Sequence, residues 1–257
     1  QLFRDALRSI VRFFSLPCKP VKQAYRVKIM WKSDNELFAL MKTRLFTAVV
    51  GDILDTLGYM HQFVSPAIKP LDVNTVVAGR AMPVLESDVY ETKSTSGKTA
   101  IGEKPFGIMF EALDALKEND VYITTGSSLR YALWGGLMST RAMHLKAAGA
   151  VLDGYARDSA EILELKFPTF CHGTYAQDQG PRGKVIDFGV PIEFHGVRVN
   201  PGDIVFGDRD GLLIIPQVVE KEVITQALEK VATESEVRKA ISDGMSTVQA
   251  FETFGVM

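Results

Sequence analysis

An Arg-Asp pair stands where a predicted strand gives way to a predicted helix. Arg157 and Asp158 follow the segment GAVLDGYA and precede the helical stretch SAEILELK. A guanidinium at such a point can grip a carboxylate or a developing enolate, and a carboxylate oxygen can hold Mg²⁺ or Mn²⁺. The spacing Asp158-x-x-Glu161 is also that of a capping box, which would make Asp158 a helix N-cap and nothing more. Residue spacing alone leaves both interpretations open.

A glycine pair upstream is suited to binding an anion. Gly135 and Gly136 precede a predicted helix, so the free N–H groups of its first turn, on Gly136, Leu137 and Met138, could approach a carboxylate or phosphate without an intervening Cβ. Helices and strands alternate over this part of the chain, which predicts parallel strands and ligand binding at their carboxyl ends. We therefore expect the loops that carry the glycine pair and the Arg-Asp pair to share one edge.

Other familiar catalytic motifs are absent from the sequence. The segment SGKTA is not a phosphate-binding loop, because Thr92 stands where a glycine is needed, five positions before Gly97. The patterns G-x-G-x-x-G after a strand, G-x-S-x-G and H-E-x-x-H do not occur. Each lone histidine is expected to be a surface or hydrogen-bonded residue: His61, His144, His172 and His195.

The composition is that of an ordinary globular protein. Its 257 residues, 46% of them hydrophobic, can bury a sizeable core. The 29 Lys and Arg against 31 Asp and Glu provide no global basic field for a nucleic-acid backbone. The two isolated cysteines, Cys18 and Cys171, do not make a disulfide framework. No apolar run approaches the roughly 18–20 residues that span a bilayer, and we expect a cytoplasmic protein.

The elements that must position the candidate residues can be predicted from the same sequence. The spacing of Ser33 and Glu36 predicts a capping box and a helix through about Lys42. The segment TAVVGDILDTLGYM predicts a helix closed by Gly58, and VNTVVAGRAMPVLES alternates in the manner of strands. The helix FGIMFEALDALK, the strand VYITTG, a helix from about Gly136 to Ala148, the strand GAVLDG and the helix SAEILELK follow.

The remaining segments complete one predicted domain over residues 33–257. A β-rich stretch from FPTFCHG to GDIVFGDRDGLLIIP precedes a long helix from Val218 to about Asp243 and a short helix, TVQAFETFG. Residues 1–32 predict an amphipathic basic helix and a linker. We expect this helix to dock on its own domain or on a neighbouring subunit; contact with a membrane surface and an organelle-targeting remnant are the alternatives.

Several of these segments resemble one known family. The run ALWGGLMSTRAMHLKAAGAVLDGYARDSAE, FTAVVGDILDTLG before it and GVRVNPGDIVFGDRDGLLIIP after it are similar to the RraA-like family, whose enzymes are 4-hydroxy-4-methyl-2-oxoglutarate aldolases and oxaloacetate decarboxylases. The resemblance extends to ESEVRKAISDGMSTVQAFETFGV near the C-terminus. It implies an α/β fold, an α/β/β/α swivelling-type domain with added N-terminal and C-terminal helices. It also implies trimers or hexamers with active sites between subunits and a divalent metal, Mg²⁺ or Mn²⁺.

The resemblance implies roles for individual residues. Arg157 would clamp the enolate and the carboxylate, and Asp158 would be the direct protein ligand of the metal. Glu161 completes the family's Arg-Asp-x-x-acid pattern and is included among the predicted metal-site residues. The backbone amides around Leu137 and Met138, after the glycine pair, would hold the pyruvyl carboxylate of the substrate.

Other positions match the family less closely. A glutamate on the C-terminal helix of a neighbouring subunit is implied near the metal, and Glu234 or Glu236 matches it. Asp208 and Asp210 lie in a turn and are expected to have structural roles. Gly136 precedes the Arg-Asp pair, with twenty residues between them. At this position the family usually has an acid that positions metal-bound water and helps to move protons. A glycine cannot relay a proton.

These observations predict a divalent-metal-dependent carbon–carbon lyase that acts on 2-oxo acids through a pyruvate-type enolate. Retro-aldol cleavage of a 4-hydroxy-2-oxo acid must deprotonate a hydroxyl, whereas oxaloacetate decarboxylation starts from an ionised carboxylate. Gly136 therefore favours decarboxylation. The alternatives are a non-catalytic RraA-like regulator that binds another protein and a family member recruited to a different carbonyl substrate in a specialised pathway.

Overall fold

The computed structural model describes residues 31–90 and 100–256. They belong to two compact units, one within Ile29–Val231 and one whose described part is 232–256. The predicted basic helix near the N-terminus lies outside the described residues, so its docking, membrane and targeting alternatives stay predictions. Of the helices described, none is both long and apolar enough to cross a membrane.

Helices and strands alternate through the larger unit. In chain order the described helices are α1 (Asp34–Arg44), α2 (Thr47–Thr56), α3 (Ala100–Glu103), α4 (Met109–Asp114), α5 (Gly136–His144), α6 (Ser159–Leu165), α7 (Glu220–Ser242) and α8 (Thr247–Phe254). The strands are β1 (Lys69–Pro70), β2 (Val77–Asp88), β3 (Asp120–Thr125), β4 (Ala132–Trp134), β5 (Gly149–Leu152), β6 (Tyr155–Ala156), β7 (Thr169–Cys171), β8 (Gly173–Thr174), β9 (Gly183–Phe188), β10 (Ile192–Phe194), β11 (Val197–Val199), β12 (Ile204–Gly207) and β13 (Leu212–Ile215). The smaller unit contains the end of α7 and all of α8.

The main sheet has a parallel centre and antiparallel margins. Its strand order is β1-β7-β5-β3-β2-β12-β13, with β9 also paired to β2. The strands β2, β3, β5 and β7 are parallel neighbours, which confirms the parallel pairing predicted from the alternation of helices and strands. The carboxyl ends of β3, β5 and β7 therefore lie along one edge, and the loops after them meet there.

A small parallel sheet holds the segments that carry the candidate residues. Its order is β4-β6-β8, and Trp134 at the end of β4 pairs with Ala156 at the end of β6. Because both strands run in the same direction, the residues that follow them emerge side by side. The glycine pair follows β4, and the Arg-Asp pair follows β6.

Both faces of the main sheet are covered. Helices α4, α5 and α6 pack on one face through Met109, Ala142 and Ile162, next to the fully buried Trp134. The β10–β11 hairpin packs on the other face, where Phe194 and its neighbours contact strand residues including Val121, Ile123 and Val151. A large apolar side chain buried in this way contributes about 1.5–3 kcal/mol to stability. The elements around the candidate site are thus well packed.

Several local predictions need correction. The alternation expected in β2 is wrong: most of its twelve residues are buried, because the strand is central and covered on both faces. Helix α5 ends at His144, four residues before the predicted end, and α4 covers only half of the segment FGIMFEALDALK. At α1 the Ser33 hydroxyl accepts from the Glu36 amide as predicted, but the Glu36 carboxylate accepts from the Lys32 amide instead of the Ser33 amide.

Candidate active site

The glycine pair and the Arg-Asp pair lie in direct contact. The Gly136 N–H donates to Asp158 Oδ2 over 3.1 Å, and the Arg157 N–H donates to the Trp134 carbonyl over 2.9 Å. Trp134 is itself fixed, because its indole N–H donates to the Ser139 hydroxyl of α5 at 2.7 Å and its ring stacks on Phe167. The start of α5 and the start of α6 are therefore held together through backbone as well as side chains.

Asp158 does not cap its own helix. It occupies the N-cap position of α6, but its φ of 55° and ψ of 36° are left-handed and its side chain makes no capping hydrogen bond. The capping-box interpretation of Asp158-x-x-Glu161 is thus wrong. A left-handed residue other than glycine costs about 1–3 kcal/mol, and such strain is concentrated at functional sites. The conformation turns a carboxylate that is 45% exposed towards the glycine pair.

Two carboxylates fill the space that side chains at the glycine pair would occupy. A Cβ on Gly135 would lie 2.7 Å from Asp158 Oδ2, and a Cβ on Gly136 would overlap Glu161 Oε2. No side chain fits at Gly136 while Glu161 keeps this position. The Glu161 carboxylate, which comes from α6, therefore occupies the space where a side chain at position 136 of α5 would begin.

Arg157 is oriented by an acid that the sequence analysis missed. Its Nη1 donates to Asp178 Oδ1 over 2.6 Å, and its Nε lies 3.7 Å from Asp158 Oδ2. Asp178 is fixed in turn because its Oδ2 accepts from the Gly180 amide at 2.9 Å. The sequence signal was Asp-x-Gly in AQDQG, which indicates a side-chain turn. Nothing local in that signal connects the turn to Arg157.

Two cavities adjoin the Arg-Asp pair. One, of about 380 Å³, is lined by polar and small residues that include Ser159, Thr174 and Tyr175. The other, of about 260 Å³, has mainly apolar walls from Phe106, Met109, Phe110, Trp134, Leu137 and Met138. Arg157 and Asp158 line both. Together they offer space for a small ligand with one polar and one apolar end.

The first turn of α5 faces this region with two amides. The Gly136 N–H is already used by Asp158. The N–H groups of Leu137 and Met138 belong to the first turn and have no acceptor within the helix. Both residues line the apolar cavity, so a carboxylate there can lie close to the helix N-terminus.

The side chains present fit the divalent metal that the family resemblance implies. Asp158 and Glu161 place hard oxygen donors over the same glycine pair, where missing Cβ atoms leave room for them. Mg²⁺ and Mn²⁺ prefer such oxygens and retain several waters, which the partial exposure of Asp158 permits. Glu234 lies on α7 in the smaller unit, and its role as a residue supplied by a neighbouring subunit stays a prediction.

Comparison with known proteins identifies the relatives of this chain. The family model RraA-like (Aldolase/RraA) matches residues 47–214. A protein of Halalkalibacterium halodurans with the provisional name 4-hydroxy-4-methyl-2-oxoglutarate aldolase is 30% identical over 205 residues, 80% of this chain and 89% of that protein. Protein DlpA of Legionella pneumophila is 28% identical over 210 residues, 81% of this chain but only 32% of DlpA.

The fold has a counterpart among solved structures. RraAS2 of Streptomyces coelicolor, described as an unusual member of the RNase ES inhibitor RraA protein family, is 24% identical with a TM-score of 0.69. The match covers 81% of this chain and 99% of that chain. It confirms the predicted RraA-like α/β fold.

Proposed function

The chain belongs to the RraA-like family, and on that premise we propose that it is a divalent-metal-dependent carbon–carbon lyase acting on 2-oxo acids. One observation carries the proposal: Arg157, Asp158 and Glu161 converge on a glycine pair beside two cavities. The relative named as an aldolase supports this class of reaction.

The residues around the glycine pair bind and orient the substrate. The substrate carboxylate accepts hydrogen bonds from the first-turn amides of Leu137 and Met138. Asp158, with Glu161 beside it, would hold the divalent ion. When bound there, the ion supplies Lewis-acid polarisation of the 2-oxo group.

Arg157 stabilises the charge that develops when the C3–C4 bond breaks. The bonding electrons move into a C2–C3 double bond and onto the keto oxygen, which leaves the enolate of pyruvate. Its oxygen accepts from the Arg157 guanidinium, which Asp178 keeps in place. One well-placed donor to such an oxygen contributes about 3–4 kcal/mol. Protonation at C3 then releases pyruvate, together with CO₂ from oxaloacetate or a carbonyl compound from a 4-hydroxy-2-oxo acid.

Glu161 takes the part of the acid that the family usually carries at position 136. Its carboxylate lies where a residue-136 side chain would start, so it can accept the proton of a C4 hydroxyl. With an acid in this place, Gly136 on its own is no longer a reason to favour decarboxylation over retro-aldol cleavage. The proposal includes both decarboxylation of oxaloacetate and cleavage of 4-hydroxy-2-oxo acids.

The active form is an assembly, a trimer or hexamer with the site near a subunit boundary. Leu137 is 83% exposed and Phe110 is 56% exposed, although both line the apolar cavity beside Arg157. A second copy that covers these side chains would remove apolar surface from water and close the cavity. Sedimentation velocity with the substitution Leu137→Asp tests this. We expect wild-type oligomers and a dissociated or weakened variant; a monomeric, fully active wild type would contradict the assembly.

The reaction is tested by pyruvate release from oxaloacetate and from 4-hydroxy-4-methyl-2-oxoglutarate. Each substrate is assayed with Mg²⁺, with Mn²⁺ and with a chelator, and the rate of metal alone is subtracted because divalent ions decarboxylate oxaloacetate unaided. We expect metal-dependent turnover that the chelator abolishes. If neither substrate is turned over faster than by the metal alone, the lyase is contradicted. The protein-binding regulator is then the function to test.

A further inference from the structure

A second cluster of potential metal ligands lies at the carboxyl edge of the main sheet, outside the Arg-Asp site. Asp153 directly follows β5, His172 directly follows β7, and His195 forms the turn of the β10–β11 hairpin. One ligand atom from each lies within 4.8 Å of the others. Among the described residues, this is the one group of three or more His, Cys, Asp or Glu side chains so arranged. We propose that the three side chains bind a divalent transition-metal ion, with Zn²⁺ as the probe.

The distances within the cluster suit such an ion. Asp153 Oδ1 lies 3.1 Å from His172 Nε2 and 2.9 Å from His195 Nε2. A tetrahedral ion with bonds of about 2.0–2.1 Å places its ligand atoms about 3.3 Å apart, so small side-chain rotations admit the ion. The other carboxylate oxygen, Asp153 Oδ2, accepts from the Thr125 hydroxyl at 2.9 Å. This hydrogen bond orients the carboxylate, as the outer contacts of metal sites usually do.

The hairpin presents His195 in the left-handed conformation, which is uncommon for residues other than glycine. His195 and Gly196 form a two-residue turn with φ of 52° and 85°, both left-handed, which indicates a type I′ turn. Asn-Gly is the sequence that such turns favour most. A histidine at the first turn position gains nothing for the turn itself. It does place an imidazole against Asp153, which supports a ligand role.

The donor set separates this site from the one at Asp158. Two imidazoles and one carboxylate suit Zn²⁺ and similar ions, whereas the oxygen donors at Asp158 and Glu161 suit Mg²⁺. The side chains of His172 and Asp153 are 14% and 24% exposed, so an ion there is partly shielded but has access to water. It would tie the ends of β5 and β7 to the hairpin.

The test uses the untagged full chain, with Mg²⁺ in excess to occupy the Asp158 site. Zn²⁺ is titrated by calorimetry, and Co²⁺ is added separately because its visible absorption is strong in a tetrahedral site and weak in an octahedral oxygen site. The variant His195→Asn removes the imidazole and creates the favoured Asn-Gly turn, so it folds at least as well as the wild type. The matched control is His61→Asn, at an exposed histidine outside the cluster.

We expect one Zn²⁺ per chain, a Zn²⁺-dependent rise in Tm and a Co²⁺ spectrum in the wild type and in His61→Asn. His195→Asn is expected to bind Zn²⁺ at least tenfold more weakly than the wild type. It should also lack the Zn²⁺-dependent rise in Tm and the Co²⁺ spectrum. Asp158→Asn keeps all three, which separates this site from the proposed catalytic one. Absence of Zn²⁺ binding in the wild type, or binding by His195→Asn equal to that of the wild type, would overturn the proposal. If His195→Asn fails to fold, His172→Gln must show the same loss.

Discussion

Two loops within residues 31–90 and 100–256 contain the dipeptide Arg-Asp, and their acids have different surroundings: Arg157-Asp158 after β6 and Arg209-Asp210 between β12 and β13. In the second loop the main acid is Asp208, which is buried. Its carboxylate accepts from the Thr47 amide at 2.8 Å, from the Thr47 hydroxyl at 2.7 Å and from the Asp210 amide at 2.9 Å. These bonds attach the loop to the start of α2.

The two carboxylates differ in how many of their hydrogen-bond acceptor sites are occupied by donors of the protein itself. A carboxylate has about four sites for accepted hydrogen bonds. Asp208 uses most of these sites to accept hydrogen bonds from protein donors, which agrees with the structural role expected for it. From the described residues Asp158 accepts one hydrogen bond, that of the Gly136 amide, and it stays half exposed on a strained backbone. An acid becomes available for a metal or substrate when the fold leaves its oxygens free, and an Arg-Asp dipeptide in the same loop does not decide this.

The largest expected effect is on catalysis by Asp158→Asn. Asparagine tolerates the left-handed conformation and keeps the shape of the side chain, but it loses the negative charge that holds a divalent ion. We expect kcat/KM to fall at least about 10²-fold with little change in Tm. The matched control is Asp210→Asn, an exposed acid of the Arg209-Asp210 pair, which should retain activity and stability. Full activity in Asp158→Asn would show that the two loops do not differ in function.

The opposite outcome is expected for Asp208→Ala. Removing this carboxylate leaves the Thr47 amide and hydroxyl without their buried acceptor. The free energy of unfolding should fall by about 2–4 kcal/mol, while the folded fraction keeps its kcat. Urea unfolding and an activity assay on the same samples measure both quantities. A loss of less than about 0.5 kcal/mol would mean that this loop is not the structural one.

A third carboxyl, Glu86, sharpens the comparison because it is buried and poorly paired. Burial raises the pKa of Glu86 to about 8, against the opposing effect of the nearby Tyr131 hydroxyl. Glu86 Oε1 has no hydrogen-bond partner among the described residues. Between pH 4.5 and 8 the unfolded chain loses this proton while the folded chain keeps it, so the contribution of Glu86 to stability falls as pH rises.

The substitution Glu86→Gln removes this titration. The variant should gain stability relative to the wild type as pH rises from 5 to 8, by about 2 kcal/mol at pH 7. Urea unfolding of both proteins at several pH values measures the difference. A difference that does not change with pH would place the carboxyl in water instead of in the core.

The smallest expected effect concerns the acid over the glycine pair. Gly136→Asp alone should not raise retro-aldol cleavage, because its Cβ displaces the Glu161 carboxylate. Gly136→Asp combined with Glu161→Ala puts one acid back and should restore cleavage of 4-hydroxy-2-oxo acids about tenfold over Glu161→Ala alone. Oxaloacetate decarboxylation is the internal control. Equal ratios of the two rates in all three variants would show that neither position moves the proton.

The sequence predicted what depends on neighbours along the chain. The strand VYITTG, the start of α5 at Gly136 and the loop after β6 follow from local patterning and glycines, as does the parallel pairing. It did not predict contacts set by tertiary packing, such as the Asp178 carboxylate on Arg157. The left-handed backbone of Asp158 was hidden as well, because the capping-box spacing indicates the opposite use of its side chain.

Calorimetric titration with oxalate tests the central claim most directly. The claim is that Asp158 and Arg157 bind a 2-oxo acid together with a divalent ion. Oxalate is planar, and its oxygens resemble the carboxylate and enolate oxygens of enolpyruvate. We predict that the wild type binds oxalate with Mg²⁺ and at least tenfold more weakly with chelator, and that Asp158→Asn loses this dependence on Mg²⁺. Oxalate binding that is independent of Mg²⁺, or equal in Asp158→Asn and the wild type, would contradict the claim.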